Sequence, residues 1–235
     1  MALLAVTAFM GVAKHYHKAG GNAVKGDGNR AVEARTVTEY TGIKVRGRID
    51  VRLSQGPEKK VEVNAAKNIV PLVSTVVNNG VLTIETTSRI NEDETIEVSI
   101  TTPAIQTLDM SEGAYIESIN TFTGDKLTVN SNGGSNGRLK LQYKNLECHL
   151  NTGSEIDLDG NTDEAILTVS TGANLDAGDL VAQKCKVEGN TGANTTVNVS
   201  QELTADMNTG SVLNYRGDPA KTNITSSTGG SVQKR

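Results

Sequence analysis

The chain has no tryptophan, two phenylalanines and five tyrosines in 235 residues, so aromatic side chains make up only 3% of it. Globular enzymes usually pack around larger rings, and so thin a supply points to layers of Val, Leu, Ile and Ala. Histidine is almost as scarce. His15 and His17 lie near the N-terminus, where a polar flank explains them, and His149 stands alone. Without a CxxC pair or a second histidine nearby there is no zinc ligand set, and no GxSxG elbow, P-loop or GxGxxG phosphate loop occurs. Positive charge is also lacking. A net charge of −4 and a pI near 5.5 argue against nucleic acid and against anionic membrane surfaces, which both require a basic face. The N-terminal apolar run, Ala2 to Ala13, is too short to span a bilayer but long enough for the apolar region of a secretory signal. It lacks a positive lead, although Gly11-Val12-Ala13 offers small residues for cleavage; export is the expectation. No cysteine follows to carry a lipid anchor.

What is abundant is glycine, with 24 residues, and much of it is periodic. A small polar residue, usually Thr, and then Gly recur at Gly113, Gly133, Gly153, Gly172, Gly192, Gly210 and Gly229, with successive spacings of 20, 20, 19, 20, 18 and 19. That is about one β-solenoid coil and too short for a helical hairpin. After each corner the pattern alternates, as in Gly153-Ser154-Glu155-Ile156-Asp157-Leu158, so Ile156 and Leu158 turn one way and Glu155 and Asp157 the other. Before the corner, Leu146/Cys148/Leu150, Ala165/Leu167/Val169, Cys185/Val187/Gly189 and Leu203/Ala205/Met207 fall seven, five and three residues ahead of the glycine. These rows stack into an apolar wall. Glycine suits a corner that needs positive φ, and Ser or Asn beforehand can bond its own turn. Only the Gly133-Gly134 coil is out of step, with Leu127 and Val129 displaced by one. In this register Cys148 and Cys185 lie two coils apart, roughly twice 4.8 Å and beyond disulfide reach, so both are expected as buried free thiols.

The chain divides by style into 1–30, an apolar start and a Gly/Asn-rich linker; 31–104, a β-rich half; and 105–235, the repeats. In the middle part, residues 41–53 alternate apolar with charged positions, and Val73 to Val77 and Val81 to Glu85 flank Asn78-Asn79-Gly80, a strong hairpin signal. Thr95 to Thr101 is another strand, and Ala65 to Leu72 has room for a short helix. The β-rich half is expected to act as the cap or entry of the solenoid, whose open end coil would otherwise expose strand edges.

Several phrases together resemble one family: Ile43-Lys44-Val45, Val51-Arg52-Leu53-Ser54-Gln55-Gly56, Asn79-Gly80-Val81-Leu82-Thr83-Ile84, Ile100-Thr101-Thr102-Pro103 and the closing Ser227 to Arg235. In order and over residues 35–235 the chain is similar to the head GIN-domain family, labelled "putative auto-transporter adhesins", of exported proteins in Bacteroidetes-type Gram-negative bacteria. The resemblance implies an all-β fold, a right-handed parallel β-helix of about 19–20 residues per coil with a β-rich N-terminal half. It also implies a role in adhesion and no shared catalytic constellation.

The densest acidic stretch is Glu155, Asp157, Asp159 and Asp163, with Asp176 and Asp179 one coil on. Asp157 and Asp176 both follow their glycine by four, which would set them about 4.8 Å apart, near the carboxyl spacing of a retaining glycosidase or of a calcium site. Counted from the same glycines, their column runs Glu117, Gly137, Asp157, Asp176, Thr196, Asn214, with no Arg or Lys to serve lyase chemistry. A solvated acidic face is the plainer reading, just as Arg216-Gly217-Asp218 before Pro219 reads as a turn. The sequence therefore favours a non-catalytic exported surface-binding module, with Glu155, Asp157, Asn174, Asp176, Asn194 and Thr196 as its binding face. A surface glycan, another polymer or a surface protein is the expected partner, without cofactor, metal, nucleic acid or membrane insertion, and homo-oligomers remain open. A β-helix carbohydrate-active enzyme and a structural spacer are the alternatives.

Overall fold

A computed structural model describes residues 22–235, so the apolar N-terminal run and the His15/His17 pair lie outside the described residues. The described chain folds into strands and one 3-10 turn at Val70–Leu72, inside the stretch with room for a short helix. The first half supplies β1 (Arg30–Arg35), β2 (Gly42–Arg46), β3 (Asp50–Gln55), β4 (Lys60–Ala66), β5 (Val73–Asn78), β6 (Val81–Thr86) and β7 (Glu97–Thr102). The second supplies β8 (Thr107–Ser111), β9 (Tyr115–Ser118), β10 (Phe122–Ser131), β11 (Asn136–Leu150), β12 (Glu155–Val169), β13 (Asn174–Gly189), β14 (Asn194–Met207), β15 (Val212–Arg216), β16 (Lys221–Ser226) and β17 (Ser231–Lys234).

From β8 onward every pairing is parallel, and each strand lies on the one a coil earlier, building a β-solenoid of about seven turns. The corners are two-residue turns in which both residues have positive φ, as at Thr152 (52°) and Gly153 (66°) or Thr171 (53°) and Gly172 (69°). Spacing had suggested a positive φ on glycine alone, yet this turn type requires it of two consecutive residues, and threonine takes the first place in five corners. Every corner glycine but the last, Gly229, then donates its N–H to the carbonyl of the first turn residue one coil on. Six such bonds of 3.0–3.2 Å run from Gly113→Gly133 O to Gly210→Thr228 O.

This ladder corrects one corner. The even spacing selects Gly133, but Gly134 donates to Thr152 O, and Gly133 occupies the threonine place. Counted from Gly134, Leu127 and Val129 are in step with every other coil, and they pair with Leu146 and Cys148.

Inward rows such as Leu108, Val129, Cys148, Leu167, Val187 and Ala205 are at most 2% exposed. Each fully buried Leu or Val contributes about 1.5–3 kcal/mol of transfer free energy. Where the row just after the glycine carries serine, the buried hydroxyl finds a carbonyl: Ser154 Oγ donates to Asn151 O at 2.9 Å, and Ser211 Oγ to Gly189 O at 2.9 Å. Cys148 and Cys185 are both buried and free, and burial pushes the Cys185 thiol up to about 12. They are offset along the strand as well as by two coils, since Cys148 pairs with Leu167 and Cys185 with Ala165.

The first half both enters the stack and closes its end. β2 pairs in parallel with both β6 and β8, and β3 with both β7 and β9. Residues 42–55 are thus a coil inserted between the later coil of β6/β7 and the repeats, so the stack runs continuously across residue 104. The end is closed by antiparallel strands instead: β5 on β6, β4 on β7, and β1 on β4. Asn79 (φ 49°) and Gly80 (φ 76°) form the β5–β6 hairpin turn. Part of the Gly/Asn-rich segment is also tied down, because Val24 bridges Ile90 and Gly26 N donates to Glu94 Oε1 at 2.6 Å.

Candidate functional site

The strands that follow the corners present two outward columns. One runs Tyr115, Asn136, Glu155, Asn174 and Asn194; the other runs Arg52, Glu117, Arg138, Asp157, Asp176, Thr196 and Asn214. All six residues expected on the binding face lie in these columns. The second column differs from the sequence expectation at one rung, where Arg138 stands in place of Gly137. The cause is the corner at Gly134: counting from Gly133 moves the whole rung by one residue and turns its cation inward. Gly137 instead pairs with Ile156 on the core side. The expectation of a column without a basic partner is thereby overturned, since Arg138 Nε lies 3.1 Å from Asp157 Oδ2. With side chains 69% and 45% exposed, this pair adds little stability, about 0–1 kcal/mol.

Asp157 and Asp176 are register partners, as their spacing predicts, and one oxygen of each carboxylate has a protein partner. Asp176 Oδ1 accepts the Gly178 N–H at 2.9 Å, at an irregularity in β13 whose register slips against β12 between Asp157 and Asp159 and against β14 between Ala177 and Val181. A Cβ on Gly178 would lie 3.1 Å from Arg216 Nη1, so the missing side chain lets that guanidinium lie against the backbone. Arg216 reaches Asp179 at 3.8 Å. The slipped strand raises one wall of a groove of about 400 Å³, with Glu117, Arg138, Lys140, Asp157, Asp159 and Asp179 around it. Bulges of this kind commonly re-aim side chains next to binding sites.

Other charged groups in the repeats are arranged differently. Asp163 lies away from the groove and accepts Gln183 Nε2 at 2.8 Å. On the strands before the corners the charges pair along the stack, Glu164 with Lys184 at 3.3 Å and Glu202 with Lys221 at 2.5 Å. His149 Nε2 stands 3.1 Å from Glu147 Oε1. Among the described residues no three His, Cys, Asp or Glu side chains converge closely enough to hold a metal ion. Asp218 of the Arg216-Gly217-Asp218 turn pairs with Lys234 at 2.5 Å. What the sequence did not bring out is the basic half of the site, Arg138, Lys140 and Arg216. The one-residue slip of Leu127 and Val129 was the signal that would have found Arg138.

Residues 39–219 match the family described as "Putative auto-transporter adhesin, head GIN domain". The chain belongs to this family. Among solved structures, the head GIN-domain fold here is similar to a "putative adhesin" from Bacteroides fragilis (18% identity, TM-score 0.83) and to a "putative adhesin" from Parabacteroides distasonis (24%, TM-score 0.70). A "putative lipid binding protein" from Parabacteroides distasonis aligns at 19% identity and a TM-score of 0.72. Each alignment covers 91% of this chain and 100% of the other. No curated protein matches the sequence. The family match begins near Glu39 and crosses residue 104 without a break, as does the stack of coils.

Proposed function

We propose that this head GIN-domain protein is a non-catalytic, exported surface-binding module that holds a glycan or another surface polymer against the Arg138–Asp157–Asp176 face. The observation that carries the reading is the pair of outward columns. They place hydroxyl, amide, carboxylate and guanidinium groups at strand spacing, about 4.8 Å, over successive coils, which suits repeated hydrogen bonding to a repeating polymer. The adhesin names carried by the family and by two of the structural neighbours support the same reading, and a role in adhesion suits an exported or cell-surface protein.

A retaining glycosidase needs one carboxyl to protonate the leaving group and the other to attack. Asp157 gives one oxygen to Arg138 and Asp176 gives one to a backbone amide, which orients both carboxylates and leaves the second oxygen of each for a ligand's hydroxyls. The test is a glycan array and a whole-cell binding assay on the full chain, with Arg138→Ala and Asp157→Asn expected to weaken binding. Turnover of a pectin-like polymer that Asp157→Asn abolishes would overturn the non-catalytic reading. Failure to bind any glycan or cell surface would leave a rigid spacer as the better description.

A further inference from the structure

The described residues hold few aromatic rings. Tyr40, Phe122 and Tyr143 are buried, and Tyr215 packs against the rim of the core. Tyr115 is the exception among the described residues. It stands half-exposed on β9, in the outward column beside Asn136 and two residues before Glu117, which itself borders the groove. Arg138 is the register partner of Glu117. One rung and one side-chain repeat therefore separate Tyr115 from Arg138, a diagonal of about 8 Å between Cα atoms, which a single sugar ring can bridge. Partial burial is the main cause that pushes the phenol's ionisation upward, and Glu117, Arg138, Asp50 and Asp157 are the charges near enough to act on it.

Resting on the binding reading above, we infer that Tyr115, Arg138 and Asp157 form a subsite for a neutral pyranose. The tyrosine ring supports the C–H face of the sugar, and the guanidinium and carboxylate meet adjacent hydroxyls. An amphipathic ring beside a few fixed polar groups is a common way to orient a ligand of this size. Selection against acidic sugars follows from the neighbours. Glu117, Asp159, Asp176 and Asp179 border the groove against Lys140 and the already paired Arg138, so a polyuronate would bring like charge to a surplus of carboxylates.

The experiment is calorimetric titration of the full chain with neutral gluco-, manno- and galacto-oligosaccharides of four to six units, alongside oligogalacturonate of equal length. The expected outcome is binding to at least one neutral series and weaker binding to the uronate. Tyr115→Phe, which keeps the ring, should stay within about twofold of the parent, whereas Tyr115→Ala should lose about tenfold or more. Unchanged urea midpoints for the two variants would confirm that the loss is local. Equal affinity in Tyr115→Ala, tighter binding of the uronate, or no binding of any neutral series overturns the subsite. If whole-cell binding persists in that last case, the adhesion reading survives its loss. If cell binding is absent too, both fall.

Discussion

Two glycines of the solenoid should respond very differently to the same added methyl group. Gly172 is a corner residue with φ 69°, and a Cβ built there meets nothing within 4 Å. Gly172→Ala therefore costs only the left-handed backbone, about 1–2 kcal/mol, less the few tenths to 1 kcal/mol gained by stiffening the unfolded chain. Gly160 lies inside β12, opposite Leu141 of the previous coil, with φ 120°. A Cβ there would stand 2.0 Å from the Leu141 carbonyl oxygen, and a backbone atom in a ladder cannot step aside without breaking its neighbours. Gly160→Ala should thus cost on the order of 3 kcal/mol or more, as other overpacked core sites do. The assay is urea unfolding of both variants and the parent, followed by far-UV circular dichroism. Stacked coils need not unfold in one step, so midpoints are to be compared with the same probe throughout. The midpoint shift for Gly160→Ala should be at least twice that for Gly172→Ala. Equal shifts, or a larger one at Gly172, would refute the claim that close approach between coils, rather than the corner, sets the stricter demand for glycine.

Thr171→Asn should stabilise by about 0.5–1 kcal/mol, read as a higher urea midpoint, because Asn tolerates positive φ better than a β-branched residue, and Asn79 already holds φ 49° in the hairpin. A fall in stability would mean that the threonine side chain makes a compensating contact. Thr195 is 1% exposed between Leu175 and Leu213, and its Oγ1 has no hydrogen-bond partner. Its isostere in Thr195→Val should stabilise by about 1 kcal/mol, read as a higher melting temperature, with no change expected if a water satisfies the hydroxyl. Burial pushes the Tyr143 phenol up to about 12 from 10.0, and its hydroxyl donates to Ile105 O at 3.0 Å. Its folded value exceeds its unfolded one, so this stability is whole below pH 10 and declines as pH rises towards 12. Denaturation at pH 8, 10 and 11.5, with tyrosinate absorbance alongside, checks the sign; stability that increases over that range would contradict it.

How far the site could be read ahead of the structure depended on one residue of register. Asp157 and Asp176 emerged as neighbours because both are counted from their own corner, and parity then sets their side. Arg138 did not, because Gly133 and Gly134 offer two corners and the spacing chose the wrong one. The slipped register of β13, the Arg216 guanidinium over Gly178 and the groove they shape have no periodic signature at all. They arise where the repeat is broken.

By itself the sequence determined what is local to a coil: the glycine-ended corners, the inward apolar rows, the Asn79-Gly80 hairpin and the free, separated cysteines. Turn geometry and side-chain parity act over a few residues, so they are written wherever they act. Only the tertiary structure decided that residues 42–55 lie between the coil of β6/β7 and that of β8/β9, and which rung faces which. Parallel strands pair through backbone groups that every residue shares, and partners more than thirty residues apart leave no mark on one another's composition.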